Sequence, residues 1–171
     1  KLVKYLDIPL QHVNGDILKR MNRKGDKESL IKLIQKIRTK IPDITLRTTF
    51  ITGFPGETEE QFCELCEFVK ETRFDRLGCF TYSAEEDTIA AEMPDQVSDK
   101  VKQRRRDIVL QSQERVADEY NQAQIGKTVE VLVESFDRYA ECWFGRTRAD
   151  APDIDTKVFF TTKTRVVPGD F

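Results

Sequence analysis

Two hydrophobic periods alternate along the first two-thirds of the chain. The stretch "VKYLDIPLQH" is short and largely apolar, a strand pattern, and "NGDILKRMNRKG" supplies a turn followed by one or two helical turns. In "DKESLIKLIQKIRTKIP" apolar residues recur at Leu30, Ile31, Leu33, Ile34, Ile37 and Ile41, the stripe of an amphipathic helix. Asp26 and Ser29 offer its caps, and Pro42 stops it. A second strand, "ITLRTTFITG", then a helix, "ETEEQFCELCEFVKETR", then a third strand, "RLGCFTYS", complete the rhythm. Repeated strand-helix-strand units call for parallel strands joined by right-handed crossovers. The pattern predicts an α/β fold, part of a parallel barrel or sheet.

After "YSAEEDTIAAEMPDQVS" the pattern changes to one long charged helix, "DKVKQRRRDIVLQSQERVADEYNQAQ". Its apolar set (Val101, Ile108, Val109, Val116, Tyr120) is sparse, as suits a helix lying across a domain edge. The run Arg104, Arg105, Arg106 fits either a solvated face or a phosphate contact. Ile125-Gly126 is the best boundary, dividing the chain into domains 1–124 and 125–171. Beyond it, "KTVEVLVESF", "AECWFGRTRAD", "KVFFTTK" and "RVV" read as four or five short strands, enough for a small all-β barrel of the oligonucleotide-binding type.

Composition narrows the class. The 171 residues suffice for a medium domain with a small appendage. No apolar run approaches the roughly 20 residues of a membrane span, and the charged start Lys1 to Lys4 is no signal peptide. The expectation is a cytoplasmic protein without a membrane partner. A net charge of −2 gives no overall drive toward non-specific nucleic-acid binding. Cys63 and Cys66 form a CxxC, but inside a helix, with no second CxxC or suitably placed histidine to complete a metal set. They read as small helix residues partly against the core.

Ligands of parallel α/β folds bind where strands end and helix N-termini converge. The second strand ends on "ITGFPGETEE": Gly53 and Gly56 permit close backbone approach, Pro55 stiffens the turn, and Ile51 and Phe54 offer a wall for a flat ring. Glu57, Glu59 and Glu60 suit the helix dipole and discourage a phosphate there. Other strand ends add Gln11 and His12, then Arg20 and Arg23, and Thr81, Tyr82 and Ser83. His12, the single histidine, fits a structural hydrogen-bonding role or a ligand contact, and Arg23 could meet a ligand carboxylate. No catalytic triad or metal set is readable.

The blocks "DIPLQHVNGDILKRMNRKG", "LRTTFITGFPGETEEQF", "FDRLGCFTYSAEEDTIAAEMPDQV" and "GRTRADAPDIDTKVFF" together resemble the methylthiotransferases of the radical S-adenosylmethionine superfamily. The resemblance implies the C-terminal part of a partial parallel β/α (TIM-like) barrel, followed by a small OB-like barrel called TRAM. It implies S-adenosylmethionine as cofactor, with adenosine contacts at Ile51, Gly53 and Phe54, and further contacts at Gln11, His12, Arg23, Thr81 and Tyr82. The superfamily's CxxxCxxC, whose three thiolates hold a 4Fe-4S cluster, is absent from this chain. An intact enzyme with two 4Fe-4S clusters is therefore expected to draw their ligands from elsewhere. The chain reads as a C-terminal fragment, inactive alone, with no catalytic or metal residue of its own.

Two branches of that family compete. One modifies an adenosine in tRNA; the other modifies an aspartate β-carbon on a small-subunit ribosomal protein. "ADAPDID" resembles the terminal domain of the second branch. Ile125 to Phe171 carries seven Lys and Arg against eight acids, which suits a basic ribosomal protein better than RNA, although RNA remains a candidate partner of a TRAM domain. Asp150, Asp153 and Asp155 are the expected docking residues. A non-catalytic RNA- or protein-binding adaptor is the alternative outside enzymes.

Overall fold

A computed structural model describes residues 2–171. The chain divides into two compact units, Leu6–Ala123 and a smaller one built from Gln124–Phe171 with the residues up to Tyr5.

The larger unit holds a three-stranded sheet in the order β1 (Tyr5–Gln11), β2 (Thr45–Thr52), β3 (Arg76–Thr81). β2 and β3 run parallel, with Arg47 opposite Arg76 and Thr52 opposite Thr81. Helices connect the strands: α1 (Gly15–Arg20) and α2 (Lys27–Lys40) before β2, and α3 (Glu59–Thr72) before β3. The short α4 (Ile89–Glu92), which the hydropathy pattern does not announce, precedes the long α5 (Asp99–Gln122).

The caps follow from the sequence. Asp26 and Ser29 close a reciprocal capping box at the start of α2, and Thr58 and Gln61 close another at α3. Asn14 caps α1 through Asp16 N and Ile17 N, while Gln61 Nε2 donates to its Oδ1 and its own Nδ2 donates to Glu64. One asparagine thus joins the end of β1 to α3.

Strand alternation sorts the two faces of the sheet. In β2, Leu46, Thr48, Phe50 and Thr52 are buried, and Arg47, Thr49 and Ile51 are half-buried on the opposite face. Phe50 meets Phe68 of α3 edge-on at 6.3 Å between centroids, and Phe74 at 6.1 Å. With Leu46, Leu65 and Ile34 these rings form the core, each large side chain contributing about 1.5–3 kcal/mol by leaving water. α5 joins that core through Val109.

The face of α5 turned inward is Lys102, Arg105, Val109 and Gln113, all buried. Three of these four are polar, so the buried stripe does not register as hydrophobic. Gln113 justifies its burial by donating from Nε2 to Phe74 O at 3.0 Å. The arginine run is accordingly split by helical periodicity. Arg104 is exposed, Arg106 is half-buried against Asp107, and Arg105 is inside the protein. Neither a solvated face nor a phosphate contact describes Arg105.

The smaller unit contains one antiparallel sheet in the order β4 (Leu132–Asp137), β5 (Cys142–Arg146), β6 (Val158–Phe160). That is three strands among the described residues, not four or five. Lys127–Glu130 and Arg165–Val167 alternate in character but enter no ladder, and an extended stretch becomes a strand only when its backbone groups are paired. Phe136 stands opposite Trp143 with rings 5.4 Å apart, and Phe144 opposite Phe159 at 6.0 Å. A bulge between Val133 and Ser135 shifts the register on β4.

Candidate functional site

The carboxyl ends of β2 and β3 lie side by side, with Thr52 in register with Thr81 and Tyr82 N donating to Thr52 O at 2.9 Å. The turn that follows β2 is almost wholly buried. Gly53 and Gly56 both have φ near +74°, a conformation that glycine alone adopts without cost. A Cβ on Gly53 would stand 2.3 Å from Lys102 Cγ, so α5 crosses directly over it. A Cβ on Gly56 would meet only the mobile end of Arg20, whose Nη1 donates to Pro55 O.

Glu57 organises this turn. It precedes the N-cap Thr58 and points inward, fully buried, where it does not face the helix dipole as its neighbours Glu59 and Glu60 do. Its Oε2 accepts from Gly53 N at 2.9 Å and lies 3.5 Å from His12 Nε2. Its Oε1 accepts from Arg105 Nη1 at 2.7 Å, and the same nitrogen reaches Glu57 O at 3.1 Å. Arg105 Nη2 continues to Glu59 Oε2 at 2.9 Å. Arg104 reaches Glu59 from the solvent side. The hydrogen bond from Arg105, helped by the charges of Arg104 and Arg105, holds the Glu59 carboxyl below its usual range.

The residues expected from sequence separate into two groups. Gly53, Phe54, Thr81 and Tyr82 come together: Phe54 and Tyr82 meet edge-on at 5.2 Å, and Lys102 Nζ sits 5.3 Å from the Tyr82 ring centre. Ile51 stands opposite Phe80 on the other sheet face, where Phe80 is 61% exposed. Gln11 closes β1 with φ 69°, an uncommon conformation for a residue with a side chain. His12 is fully buried, and its Nδ1 accepts from Asn14 N, which puts the proton of a neutral ring on Nε2, toward Glu57. Arg23 lies exposed along the outside of β1, donating to Pro9 O at 3.0 Å.

Within the smaller unit, Asp150 is buried and accepts from Thr147 N, Thr147 Oγ1 and Thr156 Oγ1. Asp155 accepts from Ala151 N and Tyr5 Oη. Both carboxylates are engaged in shaping their loop, and Asp153 is the one that faces solvent.

Sequence reading missed Glu57 as a buried hub and Lys102 altogether, and read Arg105 only as part of an arginine run on a solvated face or at a phosphate. The available signal was their i, i+3, i+7 spacing with Val109 on α5.

The ring wall of Phe54 and Tyr82, and a buried Tyr82 Oη with no hydrogen-bond partner among the described residues, fit a flat ligand carrying polar groups. They do not extend to an iron-sulfur cluster. Among the described residues no group of three or more His, Cys, Asp or Glu is arranged to hold a metal ion. Cys63 is exposed on α3, and burial pushes the neighbouring Cys66 thiol up to about 11.

A description of the radical SAM superfamily matches residues 1–69, and one of the TRAM domain matches 125–171. The chain is 49% identical over its whole length to ribosomal protein uS12 methylthiotransferase RimO of Pelotomaculum thermopropionicum, covering 39% of that protein. It is 47% identical over its whole length to RimO of Hydrogenovibrio crunogenus, covering 37% of it. The chain joins a radical SAM superfamily segment to a TRAM domain. Over 92% of its length it is also 50% identical to RimO of Chloroherpeton thalassium, covering 36% of it. The chain thus spans under two-fifths of the length of these curated relatives. Among solved structures, coproporphyrinogen III oxidase (HemN) from Escherichia coli, a radical SAM enzyme, shares its fold. The TM-score is 0.51 at 24% identity, covering 69% of this chain and 26% of that one. No helix among the described residues is long and apolar enough to cross a membrane.

Proposed function

We propose that this chain works in a cytoplasmic enzyme that methylthiolates an aspartate β-carbon of ribosomal protein uS12, using S-adenosylmethionine and 4Fe-4S clusters. The observation that carries this reading is the 47–50% identity to RimO proteins, which runs through both the strand-end turn and the small antiparallel unit. When bound, the cofactor and a reduced cluster supply hydrogen abstraction from an unactivated carbon.

This chain's own residues bind and orient. Phe54 and Tyr82 offer a ring wall, and the buried Tyr82 Oη offers a hydrogen bond to a polar ligand atom. The thiolates of both clusters come from residues other than these, so the chain alone is inactive in this reading. In the smaller unit Asp153 meets the basic ribosomal protein, while Asp150 and Asp155 hold the loop that presents it.

Comparative mass spectrometry of ribosomal proteins and tRNA nucleosides, from cells with and without the intact gene, tests the reading. Loss of a methylthio group from a uS12 aspartate supports it. Loss from a tRNA adenosine keeps the family and overturns the substrate.

A further inference from the structure

Arg105 has no role in the function proposed above, yet it is one of the most expensive side chains in the fold. Its guanidinium is 5% exposed, and burying an ion costs several kcal/mol unless it is fully paired. The pairing it receives is directed at one place. Nη1 bonds the carboxylate and the main-chain carbonyl of Glu57, Nη2 bonds Glu59, and the guanidinium lies 5.2 Å from the Phe62 ring centre.

Glu57 passes that constraint on. Its second carboxylate oxygen holds Gly53 N, the first residue after β2, and faces His12, the first residue after β1. One turn back on α5, Lys102 shares the inward face. Its stem covers Gly53, its main-chain oxygen accepts from Thr52 Oγ1, and its ammonium lies over the Tyr82 ring. The first two turns of α5 therefore set the backbone position of the turn.

We propose that Arg105 is a positioning residue for S-adenosylmethionine, acting through Glu57 to fix the Gly53-Phe54 backbone and the Phe54-Tyr82 wall. The proposal rests on the reading of the β2 strand end as the cofactor site. A preorganised turn binds more tightly because less ordering remains to be done on binding. Arg105 touches neither cofactor nor substrate. Its effect is on affinity.

The test uses the intact protein with its clusters assembled and compares wild type with Arg105→Lys, Arg105→Met and Arg104→Met. S-adenosylmethionine binding is measured by calorimetry well below each variant's melting temperature. Lysine keeps the charge but cannot span Glu57 Oε1, Glu57 O and Glu59 together, so that variant folds and still loosens the turn. The expected result is an affinity weakened by about tenfold in both Arg105 variants and unchanged in Arg104→Met. Faster amide exchange at Gly53 accompanies the loss.

Wild-type affinity in folded Arg105→Lys overturns the proposal and leaves the cofactor site standing. Wild-type protein that binds no S-adenosylmethionine overturns the cofactor site, and the proposal with it.

Discussion

Arg105 and Glu57 are joined twice, once through the glutamate carboxylate and once through its main-chain carbonyl, in a place where both side chains are buried. A pair of this kind contributes modestly when intact and costs much when halved, because the remaining partner keeps its charge without compensation.

Replacing Glu57 with glutamine tests that asymmetry. The amide nearly preserves shape but takes the buried counter-charge from Arg105 and leaves the cation to the half-exposed Glu59 carboxylate. The variant is expected to lose about 3 kcal/mol of unfolding free energy, read from urea denaturation. Glu57→Gln combined with Arg105→Met is expected to be less destabilised than the two single losses added together.

The two turn glycines, alike in φ, differ in what surrounds them. Gly53→Ala meets the Lys102 stem at 2.3 Å and also takes on the left-handed backbone penalty. Gly56→Ala displaces only the end of the Arg20 side chain. Thermal and chemical unfolding should show a loss of about 1 kcal/mol for Gly56→Ala and clearly more for Gly53→Ala. Trimming Lys102 to alanine should recover part of the Gly53→Ala loss.

Asp150 and Asp153 separate loop architecture from surface charge. Asp150→Ala removes three hydrogen bonds to a buried carboxylate and is expected to cost at least about 2 kcal/mol, with faster amide exchange across residues 147–156. Asp153→Asn, at φ 61° where asparagine is tolerated, should leave stability within about 0.5 kcal/mol. If the proposed docking to uS12 holds, weaker binding by Asp153→Asn then reports charge alone.

Thiol chemistry gives a pH-dependent readout. Burial pushes the Cys79 thiol up to about 12 and Cys66 up to about 11, since a thiolate is disfavoured away from water. The folded-state pKa values are raised, so the stabilisation they report is complete below the ordinary thiol range and is lost as pH climbs toward 11 and 12. Iodoacetamide at mildly alkaline pH should label exposed Cys63 first and leave Cys79 unlabelled until denaturant is added, as peptide mapping would show.

The larger unit was legible in sequence because its elements obey simple periods. Leu30 and Ile34 on α2 and Leu46 and Phe50 on β2 are buried where helical and alternating patterns put them. The inner face of α5 was illegible for a physical reason: Lys102, Arg105 and Gln113 are buried by hydrogen bonds and ion pairs that only the folded chain supplies. The same reason hid Glu57, which sits in an acidic run but turns the other way from its neighbours. In the smaller unit, counting acids overstated the exposed charge, because short carboxylates in a loop readily bond their own backbone.

Trp143 is the chain's single tryptophan, and it lies in the small antiparallel sheet against Phe136. Light absorbed by tryptophan alone is therefore absorbed within that unit. Far-ultraviolet dichroism is weighted the other way, since every helix among the described residues lies in Leu6–Ala123. The molecule carries its own pair of optical channels, and recording both during one denaturation would time the melting of each unit without a label or a cut.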